Sequence, residues 1–81
     1  MKKNEFKGYS LFNDIEDVAL RNRNRAVVMA NMVEQNTKQR KMTPKGAQLV
    51  IGYFGQVPDA DKEEVNNLFD GFIKERGYAS K

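Results

Sequence analysis

The chain has 81 residues, 40% hydrophobic and 31% charged, with no cysteine and no histidine. That length suits one domain with a small core. The missing cysteine excludes a disulfide scaffold and thiolate metal sites, and the missing histidine removes the commonest general base and transition-metal ligand.

The net charge of +3 is unevenly spread: residues 1–45 carry ten basic and five acidic side chains, residues 46–81 four and six. A basic first half of this kind attracts polyanions. The longest apolar run, Ala26 to Ala30, falls far short of the roughly 20 residues needed to span a bilayer. Met1-Lys2-Lys3 opens like a signal peptide, but Asn4, Glu5 and Lys7 stand where its apolar segment belongs. The expectation is a cytoplasmic protein that is not inserted in a membrane.

Residues 1–12 hold Phe6, Tyr9, Leu11 and Phe12 around Gly8 and Ser10. This aromatic segment is expected to fold over the open end of the domain; the alternative is an arm that docks into another molecule. A long helix follows over 14–36, with Asn13 as N-cap and Glu16 completing a capping box. At 100° per residue, Ile15, Val18, Ala19, Asn22, Ala26, Met29, Ala30 and Val33 make one core-facing stripe.

Residues 37–42 are polar and basic and read as a connection. Thr43 as N-cap and Pro44 at the first position open a second helix over 44–54, its stripe Ala47, Val50, Ile51 and Phe54, with Gly55 suited to a left-handed C-terminal cap. Gly46 and Gly52 weaken that helix unless close packing requires them. After Val57-Pro58, a third helix spans 59–76, with acids in its first turns, the stripe Val65, Leu68, Phe69, Phe72 and Ile73, and Gly77 as its stop. Residues 78–81 are expected to form a disordered tail. No segment alternates with period two, so no sheet is expected. The fold class is all-α, a three-helix assembly within one domain.

Arg21-Asn22-Arg23-Asn24-Arg25 is the most unusual local feature. On a helix Arg21 and Arg25 share a side while Arg23 points away. The pair is either a phosphate grip, since guanidinium offers a planar fork of donors, or it pairs with Asp14, Asp17 or Glu16 nearby or stays solvated. Asn22, within the apolar stripe, is expected to find hydrogen-bond partners and fix helix register. Leu20, Val27, Val28, Met32, Leu49 and Tyr53 project off the main stripes, more than three short helices can bury, which points to a second apolar surface.

Helix two, turn and helix three do not make a DNA-binding motif: Asp59, Asp61, Glu63 and Glu64 would face the phosphates. No serine is framed by a base, no phosphate loop or calcium loop is present, and Asp14, Glu16 and Asp17 sit where a helix start favours acids. Neither an enzyme nor a cofactor is expected.

The stretch from Phe6-Lys7-Gly8-Tyr9-Ser10-Leu11-Phe12 through Arg21-Asn22-Arg23-Asn24-Arg25-Ala26 resembles the opening of small accessory proteins of tailed bacteriophages and prophages. The resemblance implies a non-enzymatic product acting in the host cytoplasm, either binding and disabling a host or defence protein or sequestering a signalling nucleotide.

Two functions therefore stand side by side. The first is a homo-oligomeric binding protein that captures a host or defence protein through Val28, Met32, Leu49 and Tyr53, rimmed by Arg21 and Arg25. The second is recognition of a nucleotide or nucleic acid through Arg21, Arg25, Lys38, Arg40 and Lys41, with Tyr9 or Tyr53 stacking on a base. A virion component, suited to a long helix with apolar residues on several sides, is the third reading.

Overall fold

The computed structural model describes residues 10–38 and 41–77, with the Lys38 side chain left out. It is all-α apart from one short ladder. Helix α1 is Val18–Gln35, β1 is Thr37–Lys38, β2 is Lys41–Met42, α2 is Pro44–Gly55 and α3 is Asp59–Glu75. The connection expected over 37–42 is a two-residue antiparallel ladder, pairing Thr37 with Met42 and Lys38 with Lys41.

The long helix starts four residues later than its sequence suggests. Asp17, not Asn13, is the N-cap, its carboxylate accepting from the Leu20 N–H at 3.2 Å. The capping box of Asn13 and Glu16 does not form. Phe12 takes a positive φ of 61°, which turns the chain, and the Ile15 N–H donates to its carbonyl. Ser10 and Leu11 lie across the domain as expected of a covering segment: Leu11 packs on the core and Ser10 accepts from Tyr53. Phe6, Gly8, Tyr9 and the tail 78–81 lie outside the described residues.

At its other end α1 is closed by Asn36, whose backbone N–H bonds Met32 and Val33 and whose side-chain amide bonds the Met32 carbonyl. The Asn36 carbonyl accepts from the Thr43 N–H at 2.9 Å, bringing the start of α2 against the end of α1. Thr43 caps α2 through its hydroxyl, with Pro44 at the first position as expected. Gly46 lies so close to Asn36 that an added Cβ would stand 2.3 Å from the Asn36 Cβ. Close packing is therefore why this helix carries glycine there.

That approach also sets the rotation of α2. Gly46, Val50 and Tyr53 face inward, whereas Ile51, expected in the core stripe, is 70% exposed. Gly55 is not a left-handed cap: it ends the helix with no positive φ, and Gln56 follows in the right-handed region. Gly77 (φ 80°) does provide the expected left-handed stop to α3.

Both α2 and α3 pack on α1 and touch each other little. Asn22 meets Glu64 near the start of α1, and Glu34 meets Arg76 near its end, so α3 runs parallel to α1, with α2 antiparallel between them in sequence. The core is Ala26, Met29, Met32, Val33, Val50, Tyr53, Val57 and Val65. The inward face of α1 differs from the expected stripe: Arg25 and Met32 are inside, Val18 and Ala19 outside.

Two glycines give opposite expected outcomes. Gly46→Ala forces Asn36 and Thr43 apart and destabilises the fold by about 1–3 kcal/mol, the range of an overpacked site. Gly71, within α3, has nothing within 4 Å of an added Cβ, so Gly71→Ala stabilises by about 0.5–1 kcal/mol. Urea unfolding of the two variants checks both signs.

Candidate interaction surface

The arginine run has an internal destination. Arg25 is 1% exposed, and its guanidinium is bonded on every side. Its Nε donates to the Leu11 carbonyl at 2.7 Å, one terminal nitrogen donates to Asn22 Oδ1 at 2.8 Å and Asp61 Oδ2 at 3.2 Å, and the other donates to Asn13 Oδ1 at 3.0 Å. Asn22, fully buried, passes the network on by donating to Glu64 at 3.2 Å. Arg21 is half-buried, donates to the Ile15 carbonyl and lies 3.7 Å from Asp61. The arginines thus pair across the fold with Asp61, whereas Asp14 and Glu16 are exposed and Asp17 serves as a cap.

This geometry removes Arg25 as a phosphate ligand. A guanidinium offers five N–H donors, and here its three nitrogens already face four acceptors within the protein. Lys41 is exposed on the hairpin, Arg40 and the Lys38 side chain lie outside the described residues, and Arg23 is exposed with no ion-pair partner among the described residues. The phosphate candidates are therefore not gathered into one site among the described residues.

The surface expected from Val28, Met32, Leu49 and Tyr53 is also redistributed. Met32 is 0% and Tyr53 1% exposed, so both belong to the core, and Val28 and Leu49 are half-buried against it. Tyr53 is drawn inward because its hydroxyl donates to the Ser10 carbonyl at 2.5 Å. Burial pushes that phenol up to about 12, with the Arg25 charge pulling in the opposite direction.

The large apolar side chains left exposed are Val18 and Leu20 at the start of α1 and, most exposed, Ile51 on α2, beside a half-covered apolar stripe on α3. Of the α3 stripe only Val65 is fully buried; Leu68, Phe69, Phe72 and Ile73 are half-covered. Lys62 identifies the edge of α3 turned toward α2. Its ammonium lies 5.6 Å from the centre of the Phe54 ring, bonds the Gly55 and Val57 carbonyls, and pairs with Asp59 at 3.2 Å. Phe69 and Ile73 lie within about 20° of Lys62 around the helix, so they share that edge. Ala47 and Phe54 form the matching edge of α2, and Ile51 stands about 60° further out.

Sequence reasoning missed this seam because it placed Ile51 inside and Tyr53 outside. The signal that could have reversed them was Gly46, one turn before Val50, marking the face of closest backbone approach.

Among the described residues no group of acidic side chains is placed to hold a metal ion, and no helix is long and apolar enough to cross a membrane. In comparison with known proteins, the chain matches no family model, no curated protein and no solved structure.

Removing Arg25 leaves Asp61 and Asn22 without their main donor. Arg25→Ala is expected to cost about 3–5 kcal/mol, as for other broken buried pairs, against a total stability of about 4–12 kcal/mol for a chain this long. Arg23→Ala, on the exposed side of the same run, changes stability by less than about 0.5 kcal/mol. Denaturant midpoints of the two variants separate a structural arginine from a solvated one.

The Tyr53 proton gives a further expectation. The folded chain holds it to about 12, whereas an unfolded tyrosine releases it near about 10. Its contribution to stability is complete below the unfolded value and is lost as pH rises through the folded one. A phenolate absorbance titration of the folded chain should show one late-ionising tyrosine, and Tyr53→Phe should remove that late phase.

Proposed function

We propose that the chain is a small non-enzymatic binding protein that acts by burying the α2–α3 seam against another macromolecule. In the setting implied by the resemblance of its N-terminal half to phage accessory proteins, the target is a host or defence protein. Ile51 carries the reading: a branched aliphatic side chain 70% exposed on a well-formed helix, on the same helix as the half-covered Phe54, with the half-covered Phe69 and Ile73 on the edge of α3 turned toward α2. Full burial of such a side chain is worth about 1.5–3 kcal/mol, a gain that folding of this chain leaves unused. Apolar anchors of this kind, ringed by polar side chains, are what binding interfaces concentrate.

Phosphate recognition is the weaker reading, because Arg25 is fully engaged and Arg21 is directed at Ile15 and Asp61.

Ile51→Glu tests the proposal, since an outward side chain is replaced with little effect on folding. The tagged wild-type chain is expected to capture a defined protein from bacterial lysate, and the variant, with an unchanged melting temperature, is expected to lose it. Equal capture by both would place binding elsewhere on the molecule.

A further inference from the structure

We infer that a second copy of this chain occupies the α2–α3 seam, docked with its helices antiparallel to those of the first; the inference rests on the reading of that seam as a docking face. Three observations lead to it.

The first is polarity. Because α1 and α3 run parallel, their N-termini lie at one end of the molecule, and that end carries the exposed acids Asp14, Glu16, Asp17, Asp59 and Glu63. Among the described residues, the opposite end carries Lys41 and Lys45, exposed and without an ion-pair partner, while its other charges are Lys74 paired with Asp70, Arg76 paired with Glu34, and the exposed Glu75. Antiparallel docking brings the lysines of each copy toward the acids of the other, whereas parallel docking would stack like charges. Complementarity of this kind is satisfied twice in a two-fold pair, since each copy supplies both signs.

The second is area. The molecule measures 36 × 29 × 17 Å, dimensions large enough for one side of it to supply the about 800 Å² that each partner contributes to a standard interface. The third is composition. Ile51, Phe54, Phe69 and Ile73 form an apolar centre, with Gln48, Asp59, Glu63 and Asp70 exposed beside it, the layout of an interface core and rim.

Sedimentation of the full chain across a range of concentrations, at low and high salt, reads the inference directly. The expected result is a species of twice 9.3 kDa that weakens as salt rises and is lost in Ile51→Glu. Lys45→Glu and Glu63→Lys should each raise the dimer dissociation constant about tenfold, and the double reversal should restore it, because each reversed residue then meets its reversed partner across the interface.

A monomer at every concentration overturns the second-copy inference; the seam still stands as a docking face if Ile51→Glu abolishes capture of another protein. A dimer untouched by Ile51→Glu overturns both. A dimer lost in Ile51→Glu but indifferent to all three charge reversals overturns the antiparallel arrangement.

Discussion

Everything in this fold is arranged around one buried cation. Arg25 lies in the interior of an 81-residue protein, where an unpaired charge is untenable. The chain meets it from three directions: the Leu11 carbonyl and Asn13 amide from the segment before α1, Asn22 from the helix itself, and Asp61 from α3. Each of these groups is thereby fixed in place. The segment before α1 is tied across the helix by the Leu11 carbonyl and the Asn13 side chain, with Phe12 at positive φ between them, and α3 is held beside α1 through the first of its turns. A buried ion pair is weak evidence of net stability, but one with this many fixed partners strongly specifies which helix lies where.

The local part of this architecture was legible in the sequence. Thr43 and Pro44 mark the start of α2, the acids after Pro58 mark the start of α3, and Gly77 marks its end; each acts within a turn of itself. Asn22 was legible as a buried polar residue with partners. What could not be read were features set by distant residues. Asn13 and Glu16 make a plausible helix start until Arg25, 12 residues away, takes the Asn13 side chain. Arg25 looks like a surface residue until Asp61, 36 positions on, is brought beside it. Periodicity shows that a helix has an apolar side, but neighbouring elements decide how far that side is rotated.

Helix α2 shows how such a rotation bears on function. Its stripe is broad, and Val50 belongs to it in either orientation. The contact of Gly46 with Asn36 and the bond from Tyr53 to Ser10 select one orientation, and Ile51 is then left facing outward. The exposed isoleucine is thus a by-product of how the helix ends are clasped, and the apolar surface follows from the same contacts that define the core. Lys62 completes the arrangement by bonding the Gly55 carbonyl at the end of α2 and the Val57 carbonyl in the turn, which holds the two helices together there.

The span between Arg25 and its carboxylate also bears on how the protein is made. During synthesis α1 and α2 emerge before residue 61 does, and until then the guanidinium that α1 would bury has no anionic partner. A helical hairpin of α1 and α2 alone would have to leave that charge in water and so could not close over it. Closure of the core in its observed form, with the Arg25 charge paired to a carboxylate, is therefore tied to the arrival of α3.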